Sequence, residues 1–220
     1  MATALVTGAN RGIGLELVRQ LAARGDRVVA VCRRGSEDLA ALPGVTVIEG
    51  IDVTSDEAVG TLARQVDEAL DLLVLNAGVL EVVRLDALDF DSMRWQMEVN
   101  AFGPLRVVAA LRDRLSKGSK VAIITSRMGS IADNTSGSHY GYRMSKAAVN
   151  MAGKSLARDL APSGVSVCLL HPGYVRTKMT GNHGLIDAPE AATGLLARID
   201  ELQLSTTGSF WHQDGTVLPW

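Results

Sequence analysis

Tyr142 and Lys146, in the stretch Tyr142-Arg-Met-Ser-Lys146, are the residues whose types and spacing most directly suggest chemistry. Four positions apart on a helix, they are neighbours on one face. A free tyrosine titrates near pH ~10 and is a poor acid or base at neutrality. An ammonium beside it favours the phenolate and lowers that value, which makes the pair a usable general acid/base. Ser126 follows an apolar strand-like run and supplies a hydroxyl able to hydrogen-bond a carbonyl oxygen. Tyr-x3-Lys alone is common by chance and describes a surface tyrosine with a solvated lysine just as well. What changes its weight is the stretch Leu5-Val6-Thr7-Gly8-Ala9-Asn10-Arg11-Gly12-Ile13-Gly14-Leu15 at the start of the chain. It reads as a strand, a tight turn and a helix start. The glycines let backbone come close to a ligand, and the helix start offers free N–H groups and a positive dipole end to a phosphate. The spacing, Gly-x3-Gly-x-Gly, differs from the usual dinucleotide fingerprint.

These groups need elements to hold them. After the glycine turn a helix is expected to about Arg24, stopped by Gly25, and then a strand over Arg27 to Cys32. Ser36 caps a short helix over Glu37 to Leu42. Val45 to Ile48 is a third strand. Ser55 caps a helix to about Leu70, with Asp56 and Glu57 in its first turn. Leu72 to Leu75 is a fourth strand, running into Asn76-Ala77-Gly78. Asp89 or Asp91 opens a helical stretch to about Leu115, jointed at Gly103-Pro104. Lys120 to Thr125 is a fifth strand, and a polar loop leads to a long helix over Tyr140 to Leu160. Val165 to Leu170 is a sixth strand, broken by Pro172-Gly173. Asp187, with Pro189 and Glu190, signals a capped helix to about Leu202. Gly208 to Trp211 is a short last strand. Strands that are solid apolar runs, alternating with helices, describe a parallel sheet covered on both faces. The expected fold is thus α/β, a doubly wound parallel sheet of about seven strands, in one domain over residues 1–220. Ligands of such sheets bind beyond the carboxyl ends of the strands, where Gly8, Arg33, Asp52, Asn76, Ser126 and Pro172 all fall.

Bulk composition narrows the function. With 220 residues, 47% hydrophobic content and a net charge of -2, the chain does not carry the basic surface of a nucleic-acid or anionic-membrane binder. No apolar run approaches the ~20 residues that span a bilayer. Nor does the start read as a signal peptide. Cys32 and Cys168, each inside an apolar run, read as buried free thiols of a cytoplasmic protein. His139, His171, His183 and His212 lack metal-ligand spacing.

Thr7-Gly-x3-Gly-x-Gly14, Asp52, Asn76-Ala-Gly78, Asn100, Ser126, Tyr142-x3-Lys146 and Pro172-Gly173 stand in one order along the whole chain. In this the sequence resembles the single-domain short-chain dehydrogenase/reductases, whose fold is the Rossmann fold. Tyr142 to Asn150, His171 to Thr177 and Asp214 to Trp220 look most like the sniffer-type carbonyl reductases and the bacterial C-factor proteins. The resemblance implies that Tyr142 protonates a substrate carbonyl while a nicotinamide delivers hydride. Lys146 lowers the tyrosine pKa and holds the nicotinamide ribose. Ser126 orients the substrate oxygen, and Asn100 helps hold a water that relays protons to Lys146. Cofactor contacts fall to Gly8, Asn10, Arg11, Gly12, Ile13 and Gly14 in the turn, and to Asp52 and Val53 at the adenine. Asn76, Ala77 and Gly78 shape the pocket, and Pro172, Gly173, Val175 and Thr177 hold the amide end. Asn76 and Asn100 also suit structural amides that bond buried backbone, and both roles can coexist. Two departures stand out. Leu75 replaces the first of a frequent asparagine pair, and Ser126 lies sixteen positions before Tyr142, an unusually long gap. Ser130 is therefore a rival, with Ser126 preferred because it follows the strand directly.

Cofactor choice is legible at the end of the second strand. NAD-specific proteins place an acid there for the ribose 2′-hydroxyl. Here the residues are Cys32-Arg33-Arg34, and Arg33 with Arg11 can pair with a 2′-phosphate. NADP(H) is the expected cofactor, with reduction as the working direction. The segment Tyr174 to Ile186, short and containing Gly181 and Gly184, is expected to be mobile and to leave an open site. Met128, Ile131, Tyr174 and Met179 are candidates to line it, and the substrate is a small-molecule aldehyde or ketone. A homodimer or homotetramer through the helices over 89–115 and 140–160 fits the resemblance. Two other readings compete. One is an NADP(H)-binding regulator of C-factor type with little turnover, which has no need of Ser126, Tyr142 and Lys146. The other is an extended-type epimerase or dehydratase, disfavoured by the glycine spacing. A hydrolase lacks its Gly-x-Ser-x-Gly elbow.

Overall fold

The computed structural model describes residues 2–220. Its centre is a parallel sheet of seven strands: β1 (Thr3–Thr7), β2 (Arg27–Val31), β3 (Val45–Ile48), β4 (Leu70–Leu75), β5 (Leu115–Ile124), β6 (Ser166–His171) and, after a two-stranded interruption, β9 (Ser209–His212). The order is β3-β2-β1-β4-β5-β6-β9. The direction of winding reverses between β1 and β4, the crevice where such sheets take their ligands. Between β6 and β9 lie the two-residue strands β7 (Val175–Arg176) and β8 (Ile186–Asp187), paired in parallel outside the main sheet.

Among the described residues seven α-helices pack around the sheet. On one face, α1 (Gly12–Ala23), α2 (Glu37–Ala40) and α7 (Ala188–Glu201) bury Leu17, Leu21, Leu39 and Leu195 against Val6, Ala30, Ala122 and Cys168. On the other, α3 (Asp56–Gln65), α5 (Gly103–Leu111) and α6 (Tyr140–Leu160) bury Val59, Leu62, Leu111 and Val149 against Leu5, Leu73, Ile123 and Val167. Each fully buried Leu of this kind contributes ~1.5–3 kcal/mol. Alternate residues of one strand feed opposite cores, which is why the strands read as unbroken apolar runs. The remaining helix, α4 (Phe90–Met97), packs on α6 and continues into α5 through a wider π-helical turn, Glu98–Phe102.

Most expected elements are present, and the differences have local causes. Ser36, Ser55 and Asp89 cap α2, α3 and α4 with their side chains. Asp187 does not cap α7, because its carboxylate meets Arg176 Nε at 2.6 Å. β5 starts at Leu115, five residues before the apolar run: the polar lead-in pairs with Leu70 across a register shift, and Ser119 Oγ donates to Leu70 O at 2.7 Å. The segment after Pro172-Gly173, expected to be mobile, is tied down. Arg176 bridges to Asp187 and to Gly184 O, and Leu185 N donates to Tyr174 O at 2.7 Å. Beyond β9 the chain turns back on itself. His212 N donates to Thr216 O at 2.9 Å and Leu218 N to Phe210 O at 2.9 Å, along the free edge of β9.

Candidate active site

The carboxyl ends of β1, β2 and β4 open into a cavity of about 750 Å³. Its lining includes Gly8, Asn10, Arg11, Gly12, Ile13, Gly14, Arg33, Asp52, Val53, Asn76, Ala77, Gly78 and Thr177, all expected from the sequence. The turn that forms one wall is sterically fixed. A Cβ on Gly14 would stand 2.2 Å from Gly8 O, and one on Gly8 would stand 2.8 Å from Ala77 Cα. Gly8 has φ +65, which a side chain would strain. Asn76 clamps the turn from β4, donating from Nδ2 to Thr7 O and Gly8 O at 3.0 and 3.1 Å. Thr7 answers by accepting at Oγ1 from Asn76 N and Ala77 N. At the start of α1, no side chain caps the helix and no acid stands in its first turn.

Across the cavity, Arg33 and Arg34 are exposed at the end of β2, with Arg11 exposed in the turn. Arg33 Nη1 lies 3.9 Å from Asp52 Oδ2. Burial would raise the Asp52 carboxyl, yet the N–H and hydroxyl of Thr54, with Arg33 nearby, hold it below the usual carboxylate range. Asp52 is thus an ionised acceptor and Arg33 is only loosely engaged. Thr7, Cys32, Ile51, Val79, Val99 and Lys178 also line the cavity. Sequence reasoning did not assign them, although each adjoins a residue it did assign.

Ser126, Tyr142, Lys146 and Asn100 do not line this cavity, and all four are buried. α6 brings Tyr142 and Lys146 to one face, with Lys146 Nζ 5.7 Å from the phenol ring centroid. Lys146 donates to Ile124 O at 3.0 Å, just before Ser126. A Cβ on Gly78 would stand 3.3 Å from Asn100 Oδ1 and 3.8 Å from Lys146 Nζ, which joins the catalytic group to the cavity wall. Burial pushes the Tyr142 phenol up to about 12, and the neighbouring Ser126 hydroxyl offsets part of that rise. Burial also pushes Lys146 down to about 8. No lowering of Tyr142 by Lys146 is found: loss of water dominates, and Tyr142 is a phenol at neutral pH. The rival Ser130 is buried too, and its hydroxyl accepts from Asp133 N at 3.1 Å as that of Ser126 accepts from Met128 N at 3.1 Å; Ser126 is the one beside Tyr142.

Asn100 sits in the π-helical turn, a device frequent at functional sites. Its side chain binds Val79 through both backbone groups, at 2.8 and 2.9 Å, and donates to Ser145 Oγ at 3.0 Å. The structural amide is the role seen, as it is for Asn76. Pro172, Gly173 and Val175 are not part of the cavity lining. A Cβ on Gly173 would face Ile186 and His212, and Val175 is buried. Of the apolar candidates for substrate contact, Met179 lines the cavity, while Ile131 and Tyr174 are exposed outside it. Cys32 and Cys168 are both buried free thiols, as expected.

Residues 2–185 match the family model of the short chain dehydrogenases. The chain belongs to the short-chain dehydrogenase/reductase family. The 1-hydroxy-2-glutathionyl-2-methyl-3-butene dehydrogenase of Rhodococcus sp. strain AD45 is a member 48% identical to it over the full length of both chains. The C-signal protein of Myxococcus xanthus is 45% identical over 154 residues, 69% of this chain and 93% of that one. Among solved structures, the carbonyl reductase Sniffer of D. melanogaster superposes with a TM-score of 0.92 at 30% identity, over 100% of both chains. The NADPH-bound carbonyl reductase from chicken fatty liver gives 0.90 at 28% identity, over 100% and 99%. The short-chain dehydrogenase/reductase fold thus accounts for the whole chain, including the seven-stranded sheet.

Proposed function

We propose that the protein reduces an aldehyde or ketone to the alcohol, with NADPH as cofactor and Tyr142 as general acid. The observation that carries this reading is the buried Tyr142 phenol beside Ser126 and Lys146, with Lys146 reaching the wall of an arginine-edged cavity at Gly78. The residues present fit the cofactor. The glycine turn and the uncapped start of α1 suit a pyrophosphate. Asp52 and Val53 suit the adenine, and Arg33 with Arg11 and Arg34 suits a 2′-phosphate where NAD-specific enzymes place an acid. When bound, NADPH supplies the hydride. Ser126 holds the substrate oxygen toward Tyr142, and the phenol gives it a proton. Lys146, with its ammonium disfavoured by burial, passes a proton on to the resulting phenolate. Thr177, which lines the cavity, frames the far end of the cofactor. Solved neighbours crystallised with NADPH support the cofactor assignment.

The presence of the whole set Ser126, Tyr142 and Lys146 favours an enzyme over a non-catalytic regulator, the likeness to C-signal notwithstanding. No helix among the described residues is long and apolar enough to cross a membrane, and two buried free thiols suit a reducing cytoplasm. Trp95, Met144 and Met151 are exposed on the packed pair α4 and α6, and support a homo-oligomer formed through these helices. The test follows NADPH absorbance against aldehydes, ketones and quinones. Oxidation of a glutathionyl thioether alcohol is added, because a relative is named for one. Tyr142→Phe is expected to lower kcat by at least about 100-fold with NADPH affinity kept, and turnover surviving in that variant overturns the assignment.

A further inference from the structure

The arginines that edge the cavity stand on a segment held by groups that the reaction as described does not use. Arg33 and Arg34 are exposed, between the end of β2 and the short helix α2. The backbone beneath them is tied at each residue from Cys32 to Ser36. Cys32 N donates to Ile48 O at 3.1 Å, and Cys32 O accepts from Ile51 N at 3.2 Å. Arg33 O accepts from Gly50 N at 3.2 Å. Arg34 O accepts from Asn10 Nδ2 at 2.9 Å. Gly35 N donates to Glu49 Oε2 at 2.9 Å. Ser36 O accepts from Ala40 N at 2.9 Å, and its hydroxyl caps α2.

Two of these anchors are side chains from outside the segment. Asn10 belongs to the glycine turn and lines the cavity, and its amide nitrogen is engaged by Arg34 O. Glu49 directly follows β3 and does not line the cavity. Its carboxylate lies against Gly35, where a Cβ would stand 2.5 Å from Oε1 and 3.4 Å from Oε2. A carboxylate that accepts a backbone N–H makes a charge-assisted bond, stronger than a neutral one. The charge of Glu49 is felt at the cavity wall: after burial, it is the second cause that pushes the Cys32 thiol up. By that charge alone Glu49 would disfavour an anion beside Arg33. What it contributes instead is a fixed course for the two arginines.

We propose that Glu49 is a specificity-determining residue for the cofactor, a positioning residue that acts through Arg33 and Arg34. The inference rests on the reading that these arginines meet the 2′-phosphate of NADPH. Long arginine side chains lose rotamer freedom when they close on a phosphate. A backbone already fixed in place removes the further cost of ordering the segment on binding. NADH lacks the 2′-phosphate and gains nothing from fixed arginines. The bond from Gly35 N to Glu49 therefore favours NADPH over NADH, although Glu49 touches neither.

The experiment titrates NADPH and NADH by fluorescence into the parent protein, Glu49→Ala and Glu49→Gln, and repeats Glu49→Ala in an Arg33→Ala/Arg34→Ala background. Adenosine 2′,5′-bisphosphate and adenosine 5′-monophosphate serve as competitors that differ only in the 2′-phosphate. Glu49→Ala is expected to weaken NADPH and the bisphosphate by about fivefold to tenfold, the scale of one hydrogen bond. NADH and the monophosphate stay within about twofold, and the apo melting temperature falls by less than about 2 °C, as for an exposed side chain. Glu49→Gln keeps an acceptor for Gly35 N and restores most of the preference. In the background without the arginines, Glu49→Ala adds no further loss of NADPH affinity. Equal losses for NADPH and NADH in Glu49→Ala overturn the inference, because the residue then only supports the fold. Tighter NADPH in both Glu49 variants overturns it too, because the carboxylate then acts by repulsion. A full additional loss in the arginine-free background shows an effect that bypasses the arginines and overturns it as well. A parent protein with no preference for NADPH overturns the cofactor reading itself. A parent that prefers NADPH, loses the preference with the two arginines and keeps it in Glu49→Ala overturns only the positioning role.

Discussion

The helices α1 and α3 begin at comparable places, each just past the carboxyl end of a strand, and their N-termini are built in opposite ways. At α3, Ser55 Oγ accepts from Ala58 N at 3.2 Å, and Asp56 and Glu57 fill the first turn. The free N–H groups and the positive dipole end are satisfied from within. At α1 a glycine turn precedes the helix, no side chain caps it and no acid stands in its first turn. Arginines stand across the cavity instead. The first arrangement serves stability. The second leaves hydrogen-bonding capacity and positive potential directed at an anion. The same secondary structure is thus used as scaffold in one place and as binding surface in the other.

Substitutions at the two ends should separate these uses. The largest effect is expected from Gly14→Ala, whose Cβ meets Gly8 O at 2.2 Å. It should cost up to about 3 kcal/mol of stability and abolish NADPH binding measured by fluorescence titration. Next, Arg33→Ala should weaken NADPH by about tenfold to a hundredfold, the scale of one charge-assisted phosphate contact, with NADH affinity and apo melting temperature unchanged. Equal losses for both cofactors would remove the assignment of Arg33 to the 2′-phosphate. Ser55→Ala should cost about 1 kcal/mol, seen as a melting temperature about 2–4 °C lower, with NADPH affinity intact. Smallest is Gly60→Ala inside α3. Its Cβ meets nothing closer than Arg64 Nη1 at 3.7 Å, and it should raise stability by about 0.5–1 kcal/mol. A gain at Gly60 beside a collapse at Gly14 would show that the two helices use glycine for opposite purposes.

The sequence was most readable where local pattern and tertiary demand coincide. The apolar strands, the Ser36 and Ser55 caps and the α6 boundaries at Tyr140 and Leu160 needed only near neighbours. The extent of β5 was not readable, because Ser116 to Ser119 carry no apolar signal and are held by Leu70, 49 residues from Ser119. The Asp187 cap misled because its carboxylate is claimed by Arg176, eleven positions away in the chain. At the site, residue spacing brought Tyr142 and Lys146 together, but spacing does not report burial. Desolvation sets both pKa values here, so the direction expected for Tyr142 was reversed.

The backward turn after β9 has a consequence for how the molecule meets copies of itself. A last strand in a parallel sheet ordinarily exposes a ladder of open backbone groups that can recruit another chain. Here Thr216 O and Leu218 N bond along the outer side of His212 and Phe210, and Val217 bridges to Trp211. The opposite edge strand, β3, is four residues long. With one margin hemmed and the other brief, the sheet resists growing into fibrils by strand addition.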